Sequence, residues 1–136
     1  MNDSLFARRP ERPQVGNGHA EPDSEGEDNL GAFGWLRGIR DRAIMLEVHK
    51  KDGNIVAFGY AWLERADFDP SEGITLKFTG RTVKILGRNL NAVAKNNARL
   101  FNGIMRHRVP WIQEAGEAEQ METPGRATVI EEVMIE

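Results

Sequence analysis

Between Gly73 and Gln113 the chain carries eight Lys and Arg and neither Asp nor Glu. Cations without nearby counter-charge attract phosphates or acidic protein surface, and binding releases counterions. The candidate anion-binding residues are Lys77, Arg81, Lys84, Arg88, Lys95 and Arg99, together with Asn89. Asn89, Asn91, Asn96, Asn97 and Asn102 add amides of the kind that read base edges. Aromatic platforms for stacking bases are missing, because Phe78 and Phe101 fall at core positions. An acidic protein segment, or the chain's own acidic ends, is therefore favoured as partner over RNA.

Other chemistry finds less support. Asp67, Asp69 and Glu72 crowd one turn, but their spacing is not that of a calcium loop, so they read as turn and cap residues. His19, His49 and His107 have no serine or cysteine at a nucleophile's spacing. The absence of cysteine excludes disulfides, thiolate zinc sites and cysteine nucleophiles. Neither a GxGxxG nor a Walker sequence is present. The expectation is a non-catalytic binding or adaptor module with no catalytic residues, no metal and no cofactor.

Charge divides the 136 residues into three parts. Residues 1–29 hold three Arg against seven acids, and 115–136 hold one Arg against six. Residues 30–114 hold fourteen Lys and Arg against eight acids. Residues 1–29 are poor in apolar side chains and rich in Pro, Gly and acids, a composition that predicts a disordered tail. Residues 115–136 read as a second acidic, mostly disordered tail. Its end, 127–136 (ATVIEEVMIE), has the apolar content of a docking segment, either a short strand or a turn and a half of helix. The middle, 30–114, is the size of one small globular domain. No apolar run is long enough to span a bilayer and the N-terminus lacks a signal-like apolar region, so a soluble cytoplasmic protein without membrane contact is expected.

The elements that must position the cations follow from periodicity. FGWLRGIRDR suggests a short helix or anchoring arm. In AIMLEVHKK, Ile44, Leu46 and Val48 alternate with Met45, Glu47 and His49, which predicts a half-buried strand. Asp52-Gly53 supplies a hairpin turn, and IVAFGYAWL returns with Val56, Phe58, Tyr60 and Trp62 on one face, bent at Gly59. Trp35, Trp62 and Trp111 read as packing residues. After the FDPSEG turn, Ile74, Leu76 and Phe78 predict a strand, and Gly80-Arg81 a two-residue turn into Val83 and Ile85. From Leu90 to Met105 the apolar spacing becomes helical, with Asn89 or Asn91 as N-cap. The resulting fold class is α+β: a small bent antiparallel sheet or SH3/Sm-like barrel of about five strands, with a C-terminal helix.

The run WLRGIRDRAIMLEVHKKDGNIVAFGYAWLERAD, with VKILGRNL later, resembles the Sm/LSm small β-barrels. That resemblance implies RNA binding by a ring-shaped oligomer, in which Asp67, Arg88 and Asn89 occupy the base-gripping positions. The chain departs from the family where the pattern turns helical after GRNL, in place of a closing strand. Residues 35–114 are also similar to an uncharacterised small bacterial domain, a likeness that implies no activity. Apart from the ring that the first resemblance implies, the sequence leaves oligomeric state open.

Overall fold

The computed structural model describes residues 26–123 and 125–136. Nine strands are assigned among them: β1 (Glu27–Asn29), β2 (Gly34–Leu36), β3 (Met45–His49), β4 (Ile55–Gly59), β5 (Leu63–Asp69), β6 (Gly73–Phe78), β7 (Arg81–Arg88), β8 (Trp111–Gln113) and β9 (Val129–Ile135). Two short helices, α1 (Leu100–Met105) and α2 (Glu117–Glu122), accompany them. The strands form three sheets: a four-stranded antiparallel sheet ordered β9-β7-β6-β5, a three-stranded sheet ordered β4-β3-β8, and the β1-β2 ribbon. The protein is mostly β, and its described residues form no closed barrel. The roughly five strands read from the sequence omit both ribbon strands, β8 and β9.

Both large sheets drain into one core. Leu46 and Val48 from β3, Leu76 from β6, Val83 and Ile85 from β7, Ile112 from β8 and Val133 from β9 are fully buried. Alternation placed most of these inward. Ile44 is the exception: it precedes β3 and is 83% exposed. The β3-β4 hairpin turns at Asp52-Gly53, with Gly53 at φ +96. Strand β4 stops at Gly59, and a 3-10 turn over Tyr60–Trp62 redirects the chain into β5 in the other sheet. Trp62 does not pack inward as expected. It is 61% exposed, and its ring lies over Gly59, where an added Cβ would sit 2.9 Å from Trp62 Cδ1.

The β5-β6 turn is held by Asp69, whose Oδ1 accepts from the Ser71 backbone N–H at 2.8 Å and the Ser71 hydroxyl at 2.7 Å. Those bonds hold the Asp69 carboxyl below its ordinary pKa. The β6-β7 turn falls one residue before the predicted one, since Phe78 pairs with Arg81 and Gly80 takes φ +81.

Three segments depart from expectation. The long helix from Leu90 shrinks to α1, because Asn89, Asn96 and Asn97 adopt left-handed backbone at φ 55, 61 and 62. Asparagine tolerates that region and competes with the helical backbone through its own side chain, so three of them outweigh an apolar stripe. Of the expected short helix or anchoring arm, Gly34–Leu36 is strand β2, with Arg37 N–H closing the ribbon on the Gly26 carbonyl at 2.9 Å. Finally, 115–136 is not mostly disordered: it supplies α2, and its docking segment 127–136 takes the strand alternative as β9, with Val129, Ile130 and Val133 buried.

Candidate cationic surface

The seven candidate residues do not converge. Lys77 and Lys84 share the outer face of the four-stranded sheet, where strand register builds two cross-strand rows. One row runs Arg65, Lys77, Thr82, with the Thr82 backbone exchanging bonds with Glu136 at 3.1 and 2.8 Å. The other runs Asp67, Thr75, Lys84, Met134. Edge strands thus place Asp67 on one side of the basic hairpin and Glu132 and Glu136 on the other. Arg65 and Asp67 form an exposed ion pair at 2.9 Å. Arg81 stands exposed at the hairpin end. The acid-free interval in sequence is flanked by acids in space.

Arg88 and Asn89 serve the chain itself. An Arg88 Nη2 proton is donated to the Gln120 carbonyl at 2.7 Å, and Arg88 Nε lies 3.6 Å from Glu131. Asn89 Nδ2 donates to the carbonyls of Gly125 and Ala127 at 2.8 and 2.9 Å, while its own carbonyl accepts from Thr128 Oγ1 at 2.8 Å. These contacts fasten the approach to β9. Asn89 is therefore a cross-chain clasp and not the cap of a helix beginning after it. Lys95 and Arg99 are exposed on the left-handed segment, where Asn96 Nδ2 donates to Asp28 at 3.0 Å. They belong to the ribbon side of the molecule.

The structure gathers a second set of cations that sequence distance conceals. The loop after β2 brings Arg37, Arg40 and Arg42 to the segment after α1, which carries Arg106, His107 and Arg108. Backbone bonds join the two: Leu36 N–H to the Arg108 carbonyl at 2.9 Å, and Ala43 N–H to the His107 carbonyl at 2.7 Å. Arg108 binds the loop with its guanidinium, donating to Leu36 at 2.5 Å and Arg37 at 3.1 Å, and stacks 5.1 Å over the Trp35 ring. Burial lowers the pKa of Arg108, and the charges of Arg42 and Arg106 lower it further, against an opposing effect of Asp41. His107 stacks on Tyr60 at 4.4 Å, and its pKa is depressed by burial and then by Arg42. Acids temper the cluster: Asp28 lies 3.5 Å from Arg37, and Asp41 acts on Arg108. The only sequence clue was the spacing of Arg37, Arg40 and Arg42 in FGWLRGIRDR, which Asp41 masks in a charge count.

The chain matches no family model, and no curated protein or solved structure gives a significant match.

No group of three or more His, Asp or Glu able to hold a metal occurs among the described residues. A cleft of about 570 Å³ lies between the Pro70–Gly73 turn and residues 86–92, with Glu72, Asn89, Asn91 and Glu131 on its walls. No described helix is long and apolar enough to cross a membrane.

One charged residue outside both basic regions is fully committed. Glu114, 3% exposed, accepts from the Lys51 N–H at 2.9 Å, the Val133 N–H at 2.7 Å and Lys50 Nζ at 3.2 Å. Lys50 Nζ also donates to the Val133 carbonyl at 2.5 Å. Burial alone would raise the Glu114 pKa, but the two backbone N–H groups and the Lys50 ammonium outweigh it and hold it below the usual value. The arrangement ties β9 to the β3-β4 turn.

Proposed function

We propose that the protein is a non-catalytic binding module whose anion-preferring surface is centred on Arg42, Arg106 and Arg108. The reading is supported by one geometric observation: backbone bonds from Leu36 to Arg108 and from Ala43 to His107 seat the loop carrying Arg37, Arg40 and Arg42 beside Arg106 and Arg108, across more than sixty residues of sequence. Cations held within reach of one another gain when an anion arrives, because its field relieves their repulsion. Arg42 and Arg106 are exposed, while Arg108 is fixed in place by carbonyls and Trp35.

The neighbouring surface favours an acidic protein segment over RNA. Ile39, Ile44 and Met105 are 70%, 83% and 49% exposed, and they interleave with these cations in sequence. Such a mixture suits acidic side chains alternating with apolar ones. Base stacking has no platform here, since Trp35 is covered by Arg108 and Tyr60 is buried. On this reading Lys77, Arg81 and Lys84 form a secondary, partly neutralised face. The acid-rich residues before Glu27 compete for the cationic end, whereas the C-terminal acids are held in and around α2 and β9.

Anisotropy titration of labelled polyglutamate and of labelled RNA of matched charge, at low salt, tests this. Full-length protein is expected to bind the peptide more tightly, with affinity falling as salt rises. Arg42→Glu with Arg106→Glu should abolish binding, while Lys77→Glu with Lys84→Glu should weaken it modestly. Equal loss from both pairs would make the interaction non-specific, and undetectable binding of either polyanion would end the proposal.

A further inference from the structure

We infer that β4 is a homodimerisation edge, pairing antiparallel with β4 of a second copy about a dyad at Ala57. Four strand edges bound the two large sheets, and three are protected. Strand β5 carries Glu64, Arg65, Asp67 and Asp69 with a register shift at Glu64, and β9 carries Glu131 and Glu132 with a shift between Ile130 and Glu132. Charges and bulges are the usual defences against edge pairing. The outer edge of β8 is met by the bridge from Phe33 to Ile112. Strand β4, Ile-Val-Ala-Phe-Gly, has no charge, no proline and no register shift, and among the described residues no strand lies beyond it.

The free groups on that edge have the parity a dyad needs. Lys50 N–H donates to the Asn54 carbonyl at 2.8 Å and Tyr60 N–H to the Ile44 carbonyl at 2.9 Å. Bonded pairs alternate along an antiparallel ladder, so within the register Met45–Gly59 to His49–Ile55 they fall at Leu46–Phe58 and Val48–Val56. The N–H and C=O of Ile55, Ala57 and Gly59 therefore point away from β3. A two-fold axis through Ala57 sets Ala57 against itself and Ile55 against Gly59 of the second copy. All three residues then exchange their outward groups.

Side chains complement this register. Ile55 is 58% exposed and Trp62 61%. The Trp62 ring occupies the place a Gly59 side chain would take, with Met45 Sδ 3.7 Å from the same point. In the dyad, Ile55 of each copy lands beside that ring, so Ile55, Trp62 and Met45 cover one another at both ends of the paired strands. Residues 1–25 make a poor alternative occupant: their sequence contains Pro10, Pro13 and Pro22, many charges, and no apolar run as long as β4. A second copy supplies an uncharged strand of matching length.

Sedimentation velocity of the full-length chain over a concentration series should show reversible monomer–dimer exchange. Amide exchange should slow at Ile55, Ala57 and Gly59 as concentration rises. Ala57→Pro removes an N–H that β3 does not use, so it should weaken dimerisation by at least about tenfold while leaving the far-ultraviolet spectrum and Tm near parental values. Ile55→Lys, which keeps every backbone group and adds an edge charge, should act alike and covers the case in which proline disturbs the hairpin. A monomer at every concentration would overturn the inference. So would a dimer indifferent to both variants, or protection of Ile55, Ala57 and Gly59 that does not depend on concentration, which would mean the edge is covered within one chain.

Discussion

Glu114→Ala should detach the C-terminal strand from the β3-β4 turn. The substitution removes one carboxylate and strands three donors: the Val133 and Lys51 N–H groups and the Lys50 ammonium. A hydrogen bond to a charged group is worth about 1.5–3 kcal/mol net, and breaking a buried pair by deleting one partner costs about 3–5 kcal/mol. The lower range applies to the group as a whole, because Lys50 is partly exposed and can rehydrate. A loss of about 3 kcal/mol corresponds to roughly 12 °C in Tm for a chain of this size. Glu114→Gln should cost about half as much. Oε2 serves both Val133 and Lys50 while Oε1 serves Lys51, so a single amide oxygen satisfies one side only and turns its NH₂ toward a donor on the other. Circular dichroism melts measure the loss, and amide exchange at Val133 locates it. The pH dependence provides a second check. The folded pKa of Glu114 lies below its unfolded value, so its contribution is complete above the unfolded pKa and disappears as pH falls through the folded one. Glu114→Gln should flatten that acidic limb. A Tm within about 4 °C of parental for Glu114→Ala, with Val133 exchange unchanged, would refute the reasoning.

Further outcomes can be checked on the same protein. Tyr60→Phe deletes the buried bond from its hydroxyl to the Val109 carbonyl, 2.6 Å, and should cost about 1–3 kcal/mol in chemical denaturation. Burial also raises the Tyr60 pKa, so alkaline absorbance titration should find its phenol un-ionised where an exposed tyrosine has titrated. Gly87→Ala would drive a methyl into the Val129 carbonyl oxygen, and should release β9 with faster exchange from Val129 to Ile135 while leaving the β3-β4 hairpin protected. Arg42→Ala should raise the His107 pKa toward the ordinary value, as read by NMR titration of its ring protons. Because the folded His107 pKa lies below the unfolded one, parental stability should decline as pH drops below about 6.5, and the variant should decline less.

Features with a local cause were legible. The hairpin at Asp52-Gly53 follows from left-handed backbone at Gly53, and burial of Leu46 and Val48 follows from alternation. Features caused by distant partners were not. Glu114 reads as the end of an ordered domain, yet its partners are Lys50 and Lys51 on one side and Val133 on the other. Gly103 falls inside the stretch whose spacing reads as helical. In the fold it is where the Trp35 ring and Val109 press on α1, leaving no room for a methyl. The helical stripe from Leu90 misled because apolar spacing does not specify the backbone that buries it. Of its residues Leu90, Leu100 and Ile104 are buried, only the last two from a helix, while Val93 and Met105 stay 55% and 49% exposed.

The charge pattern shows the same division between what lies near in sequence and what lies near in space. An acid-free interval suggested a one-signed surface, because a count along the chain treats sequence neighbours as spatial ones. In a sheet the neighbours of β6 and β7 are β5 and β9, whose acidic residues lie outside that interval. Basic hairpin and acidic C-terminus are distant in sequence but adjacent in the fold: Lys84 lies opposite Thr75 and Met134, Arg88 opposite Val129 with Glu131 3.6 Å from its guanidinium, and like charges are mostly kept from standing directly opposite. Arg65 opposite Lys77 is the exception, and Asp67 relieves it through its ion pair with Arg65. The cations around Arg42, Arg106 and Arg108 have Asp41 as the one acid acting on Arg108. Charge left unbalanced after strand pairing is a better guide to a binding surface than charge left unbalanced in sequence, and that criterion moves the candidate site from the hairpin to the end of α1.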